Sequence, residues 1–216
     1  MKNTGSAFKI YWDLALLGDD EYSANHIPFG IEKLKRGYIY PNRKKLPDKI
    51  YFLANFRALE MTDYPFNDLK WPIMSRKMLD VLLSVREFSH RKIPVVMIDD
   101  ACQDAIYAIN GELKPGVPII TDYYVVQNLN FTDAFDRDHS EFIPSELNPD
   151  RVGNVFKLIF KDISLPPFFK IIELMTTNFV SAEARKALEA KGIKGVKYFS
   201  GDNLGMRGML NSNENE

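Results

Sequence analysis

The chain has 216 residues, of which 45% are hydrophobic and 26% charged, and its formal net charge is −1. This composition predicts a folded protein with a sizeable core, and the near-zero charge argues against a protein that tracks nucleic-acid phosphates or is drawn to a charged membrane surface. No stretch approaches the roughly 18 consecutive apolar residues that a membrane span needs. The single cysteine, Cys102, excludes an intramolecular disulfide and fits a reducing compartment, so we expect a cytoplasmic protein.

The N-terminal third predicts short strands at residues 7–12 and 50–53. Between them, residues 28–50 contain five Pro and Gly residues that separate short segments, together with a basic stretch at residues 33–49 that includes Tyr38 and Tyr40. Basic residues interleaved with aromatics are also typical of single-stranded nucleic-acid binding. A nucleic-acid-binding module is therefore one alternative function.

A segment then occurs twice along the chain. Each copy is a short apolar strand, a serine, a helical pattern and a second strand, with Ser75 opening the first helix and Ser181 the second. Apolar residues recur at helical spacing in both helices, and Lys191-Gly192 supplies a stop signal after the second. The two strand–helix–strand units would be right-handed crossovers if their strands pair in parallel.

Further strands are predicted at residues 95–98, 119–129, 155–160, 168–174 and 193–199, while residues 105–109 fit a strand or a helical turn. The pattern as a whole predicts an α+β fold with a mixed β-sheet and two or more packed helices. We expect one domain over residues 1–205 and a polar tail at residues 206–216.

Residues that carry enzyme chemistry form no familiar motif. His26, His90 and His139 do not have the spacing of metal ligands, and no phosphate-binding glycine loop or nucleophile elbow is present. We therefore expect no catalytic residue, metal or cofactor. The alternative is an enzyme acting on a small molecule, with Cys102 or His139 in its site.

Carboxylates cluster in two loops. The first group is Asp99, Asp100 and Asp104, and the second is Asp133, Asp136, Asp138 and Glu141. Such clusters suit a basic protein partner, because complementary charge speeds encounter and excludes wrong partners. These seven residues are the predicted partner-binding surface.

Four segments resemble one protein family. They are Pro72-Ile73-Met74-Ser75 with its helix, Tyr124-Val125-Val126-Gln127-Asn128-Leu129 followed by residues 133–136 and 140–142, Phe169-Lys170-Ile171-Ile172-Glu173-Leu174, and Phe179-Val180-Ser181 with Ala187-Leu188 and residues 192–196. In this order they are similar to family eleven of the immunity proteins of bacterial polymorphic toxin systems, formerly a domain of unknown function. The third segment departs from the family pattern, because Lys170 stands where an arginine is expected.

The resemblance covers roughly residues 70–200 and leaves residues 1–65 unmatched. It implies a non-catalytic cytoplasmic protein that binds a cognate protein toxin and neutralises it by occlusion. The family positions Asp136 and Ser140 are expected to fix a turn, because short polar side chains accept hydrogen bonds from nearby backbone N–H groups.

Overall fold

The computed structural model describes residues 6–16, 23–27, 34–41, 46–106, 113–149 and 151–201. In these ranges the strands are β1 (Ala7–Trp12), β2 (Ala24–Ile27), β3 (Ile50–Ala54), β4 (Ile73–Ser75), β5 (His90–Asp99), β6 (Ile119–Asn128), β7 (Glu141–Pro144), β8 (Val152–Lys157), β9 (Phe168–Phe169), β10 (Asn178–Ser181) and β11 (Val196–Phe199). The α-helices are α1 (Phe56–Leu59), α2 (Arg76–Val85) and α3 (Ala182–Ala190). Short 3-10 helices occupy Leu14–Leu16, Arg36–Ile39, Asp100–Ala105 and Ile172–Leu174.

The described strands form three sheets. A four-stranded antiparallel sheet has the order β11-β1-β10-β9, and a five-stranded sheet has the order β2-β3-β5-β6-β4. The pair β3 and β5 is parallel and the other pairs of the second sheet are antiparallel, so this sheet is mixed. The third sheet is the antiparallel pair β7 and β8. Mixed strands with packed helices confirm the predicted α+β class.

Both repeats have the same topology. In β4–α2–β5 the two strands are parallel but β6 lies between them, antiparallel to both. In β10–α3–β11 the intervening antiparallel strand is β1. The strands of a repeat therefore do not pair directly, and each repeat is a split β–α–β unit completed by a strand from elsewhere in the chain.

The serines begin both helices as predicted. Ser75 Oγ accepts a hydrogen bond from the backbone N of Met78 at 3.1 Å, and Ser181 Oγ accepts one from Ala184 at 3.2 Å. Helix α3 ends in a Schellman motif at Gly192, which has φ +60°. There the Gly192 N–H donates to Glu189 O and the Ile193 N–H donates to Leu188 O. Hydrogen-bonded caps thus fix both ends of α3.

Helices α2 and α3 share one apolar cluster with the two larger sheets. Met78, Leu79 and Leu82 of α2 and Ala184 and Leu188 of α3 are buried in one apolar cluster. That cluster also contains residues of the four-stranded sheet and of the five-stranded sheet: Ile10, Trp12, Phe168, Val180, Met74, Tyr124 and Val126. Burial of this much apolar surface is the main source of stability expected for the fold.

Some predicted strands have different bounds. The strand predicted at residues 155–160 is observed as β8, which begins at Val152 and ends at Lys157. Leu158 and Phe160 lie beyond the end of the ladder and are buried in the core. The predicted strand at residues 168–174 ends after Phe169 and continues into a 3-10 helix. Residues 107–110 and the polar tail at 206–216 lie outside the described residues.

Asp63 connects the two repeats. Its carboxylate accepts hydrogen bonds from Ser75 Oγ at 2.6 Å and from the backbone N of Lys194 at 2.9 Å. Its backbone N–H donates to Lys194 O, and its carbonyl accepts from Ser75 N. One residue therefore ties the start of α2 to the segment that leads into β11.

Replacing Asp63 by alanine is expected to lower the free energy of unfolding by about 2–3 kcal/mol, because two charge-assisted hydrogen bonds are lost. Urea unfolding would measure the change. The matched control is Asp162→Ala, since Asp162 is exposed and its replacement should change stability by less than about 0.5 kcal/mol. Equal effects of the two changes would show that Asp63 does not bridge the repeats in solution.

Candidate protein-binding surface

The second acidic group lies in the loop that leads into β7. Asp136 Oδ1 accepts hydrogen bonds from the backbone N of Asp138 at 3.1 Å and of His139 at 3.2 Å. Its other oxygen lies 2.9 Å from His139 Nδ1, and this hydrogen bond lowers the pKa of the Asp136 carboxyl. Asp136 thus fixes the turn, as expected.

Ser140 joins this loop to the segment after β8. Its hydroxyl accepts a hydrogen bond from the backbone N of Ile159 at 2.9 Å and donates to Ile159 O at 3.2 Å. The Ser140 N–H donates to Asp136 O at 3.1 Å. Asp136 therefore fixes the turn through its side chain, as expected, whereas the expectation for Ser140 is wrong, because its hydroxyl bonds to Ile159, 19 residues away, and not to a backbone N–H of the turn.

Other carboxylates of the loop face solvent. The Asp133 side chain is 87% exposed and pairs with Lys161 Nζ at 2.6 Å, while Asp138 is exposed. The Glu141 side chain is 69% exposed, and its Oε1 lies 4.0 Å from Lys157 Nζ. These carboxylates are accessible to a partner, and their exposed ion pairs are weak enough to be exchanged for partner contacts.

The first acidic group lies in a different part of the fold, where β5 ends. Asp99 Oδ1 accepts a hydrogen bond from the backbone N of Ala101 at 3.1 Å and so caps the 3-10 helix that follows. Asp100 is half-buried, and the side chain of Asp104 lies outside the described residues. The geometry therefore assigns Asp99 a local capping role.

The β7–β8 hairpin exposes apolar side chains on its outer face. Its inner side packs Phe142 and Val155 against a core cluster. Ile143 is 51% exposed and Phe156 is 53% exposed, and the connecting turn carries Leu147, which is 98% exposed. Exposed apolar side chains grouped in this way are typical of surfaces that bind another protein.

The sequence prediction missed this apolar face. The alternation in Glu141–Pro144 indicates that Phe142 and Ile143 point to opposite sides of the strand. The ladder pairs Glu141 with Lys157 but Phe142 with Val155, so β8 has one extra residue at this point. That residue, Phe156, has no partner across the ladder. A bulge of this kind carries no clear sequence signal.

The candidate enzyme residues occupy separate places. Cys102 is half-buried and packs against a small cluster that contains Val96, Ile98 and Ile106. His139 contacts Asp136, and His90 stacks on Phe88 with ring centroids 4.4 Å apart. The side chain of His26 lies outside the described residues. In the described part of the chain, no group of three His, Cys, Asp or Glu side chains has metal-binding geometry.

The basic segment is described in part, since residues 33 and 42–45 lie outside the described ranges. Lys35, Arg36 and Lys49 are exposed. Tyr38 and Tyr40, in contrast, are half-buried and pack against the core of the five-stranded sheet. Base stacking requires accessible ring faces, so the packing of both tyrosines disfavours a stacking platform here.

Lys170 is a buried lysine whose burial the sequence did not predict. The residue is 2% exposed, and its Nζ donates to Met175 O at 3.0 Å and to Thr177 O at 3.5 Å. Its ammonium also lies 5.7 Å from the centre of the Tyr40 ring. Burial, followed by the nearby charge of Arg36, lowers the pKa of Lys170 to about 7.

Comparison of the chain with models of known protein families finds no match, and comparison with curated proteins finds none either. Among the described residues, no helix has the length and apolar character to cross a membrane.

Proposed function

We propose that the protein is an immunity protein that binds a cognate bacterial protein toxin and neutralises it by occlusion. The observation that carries the proposal is the apolar outer face of the β7–β8 hairpin next to a loop of exposed carboxylates. We call this the loop–hairpin surface and define it as Asp133, Asp138, Glu141, Ile143, Leu147 and Phe156. The resemblance of the four sequence segments to an immunity family supplies the class of partner.

The arrangement suits a partner whose contact surface is basic around an apolar centre. Ile143 and Phe156 would supply the desolvated centre of the interface, where most binding energy concentrates. Asp133, Asp138 and Glu141 lie before and at the start of the same hairpin and would form an acidic rim that speeds encounter with a basic toxin. Neutralisation by occlusion needs no bond-making step, and the site of action would be the cytoplasm of the producing cell.

Truncating Ile143 and Phe156 to alanine is expected to weaken toxin binding by about 30-fold or more, because removal of a central apolar anchor typically costs about 2 kcal/mol. Isothermal titration against the toxin domain encoded beside this protein would measure the dissociation constant. Ile119→Ala is the matched control, since Ile119 is 47% exposed but lies on the five-stranded sheet. Charge reversal at Asp133, Asp138 and Glu141 should mainly slow association and reduce its dependence on salt.

The possible results separate the function from the surface. If the wild-type protein binds the toxin and blocks its activity but the Ile143 and Phe156 changes have no effect, the loop–hairpin surface is wrong. Failure of the wild-type protein to bind the toxin would contradict the immunity function itself. Asp80→Lys on α2 controls for a general effect of charge reversal, because Asp80 is exposed outside this surface.

A further inference from the structure

Two buried hydrogen-bonding side chains line one small pocket beside the end of β1. Trp12 Nε1 and Ser23 Oγ each lack a hydrogen-bond partner within the described part of the chain. The two residues are 7% and 1% exposed. A buried polar atom without a partner is costly, so native structures usually satisfy it with protein or with ordered water.

The pocket is large enough for about one water molecule. Its volume is about 10 Å³, close to the minimum that one ordered water molecule requires. The walls also include Ala58, Thr62, Tyr64 and Phe66. The centroid of the Trp12 ring lies 5.7 Å from that of Tyr64, on which it stacks, and 5.0 Å from that of Phe66. These two rings hold the indole in place.

The chemistry of the lining restricts what can bind. An indole N–H is a donor and cannot accept, so the occupant must present an acceptor to Trp12. The described lining contains no Lys, Arg or His side chain, so it offers no cation to hold an anion. A serine hydroxyl can donate or accept, so a neutral molecule that does both satisfies the two side chains together.

We propose that this pocket binds one ordered water molecule that accepts a hydrogen bond from Trp12 Nε1 and donates one to Ser23 Oγ. Trp12 ends β1 of the four-stranded sheet, and Ser23 precedes β2 of the five-stranded sheet. The bound water therefore links the last residue of β1 to the residue before β2, and with them the two larger sheets.

Water contacts of the indole protons, measured by NMR on protein labelled with ¹⁵N in tryptophan, test this site. The chain has two tryptophans, and the second is an internal control, because Trp71 Nε1 is buried and donates to Arg36 O at 3.0 Å. We expect dipolar water contacts of opposite sign in the NOE and ROE spectra at Trp12, which mark a long-lived water, and none at Trp71. Absence of this signal at Trp12 would overturn the proposal.

A pocket-filling variant locates the water. In Ala58→Val the added methyl groups reduce the volume of the pocket, which Ala58 lines, and the Trp12–water signal should disappear while the Trp71 signal keeps its chemical shift. Ala101→Val, at an exposed position outside the pocket, should leave the Trp12–water signal intact. A signal that persists in a folded Ala58→Val protein would place the water elsewhere. If that variant does not fold, the comparison of Trp12 with Trp71 in the wild-type protein still decides the question.

Discussion

Replacing Gly195 by alanine is expected to lower the free energy of unfolding by about 3–5 kcal/mol. Gly195 has φ +74°, a left-handed conformation that costs a residue with a Cβ roughly 1 kcal/mol. A Cβ at this position would also lie 1.9 Å from Thr62 Oγ1 and 3.1 Å from the Thr62 Cα. The contact with Thr62, rather than the backbone angle, dominates the expected loss.

Thr62 is held too firmly to move aside. Its Oγ1 accepts a hydrogen bond from the backbone N of Tyr64, and its carbonyl accepts one from the hydroxyl of Tyr123 at 2.9 Å. Moving Thr62 away from a new methyl group would break these buried hydrogen bonds. The strain of Gly195→Ala therefore arises next to the link between the repeats, where the backbone N of Lys194 donates to the Asp63 carboxylate.

Gly192→Ala is the matched control for this prediction. Gly192 also has a left-handed backbone, φ +60°, but among the described residues no atom beyond its two chain neighbours lies within 4 Å of the position of its Cβ. Its replacement should therefore cost only the conformational strain of about 1 kcal/mol. Urea unfolding of both variants measures the difference, and equal losses would contradict the close approach of Gly195 to Thr62.

Local features of this fold could be read from the sequence. Ser75 and Ser181 begin helices, Gly192 ends one, and the β1 strand has the predicted bounds, because these signals depend on a few neighbouring residues. The insertion of β1 between β10 and β11 could not be predicted in this way. It depends on pairing between residues nearly the whole chain apart, such as Ile10 and Tyr198.

The candidate surface was predictable to a similar extent. The turn formed by Asp136 follows from the local chemistry of an aspartate, but the exposure of Phe156 follows from a bulge and from what packs on the other side of β8. The burial of Lys170 could not be predicted. Lysine is normally exposed, and the strand pattern around it gave no reason to expect a side chain enclosed by the chain.

Replacing Lys170 by methionine is expected to change how stability depends on pH. Burial lowers the pKa of the Lys170 ammonium from its ordinary value of 10.5 to about 7 in the folded protein. Between these two pH values the unfolded chain binds more protons than the folded chain, so the stability of the wild-type protein rises with pH. Since each unit of pKa corresponds to about 1.4 kcal/mol, this group alone should add on the order of 3 kcal/mol between pH 6 and pH 9.5.

In Lys170→Met this contribution is absent. Removal of the buried ammonium raises the free energy of unfolding, and loss of the donor to Met175 O and Thr177 O lowers it. The net change in the free energy of unfolding at a single pH is therefore smaller than its change with pH. We expect the stability advantage of the variant to be largest below pH 7 and to decline steadily toward pH 9.5. Urea unfolding of both proteins over this range measures the difference, with Lys191→Met as a control at an exposed lysine.

The range ends at pH 9.5 because tyrosines act in the opposite direction above it. Burial raises the pKa of Tyr123 to about 12, and it also raises those of Tyr64 and Tyr198 above their ordinary value of 10. The unfolded chain releases these protons first, so folded stability falls as pH rises above about 10. Both proteins should therefore lose stability as pH rises above about 10, whereas only the wild-type protein should gain stability from this position between pH 7 and 9.5. Parallel profiles for the two proteins would mean that Lys170 keeps an ordinary pKa and is not buried as described.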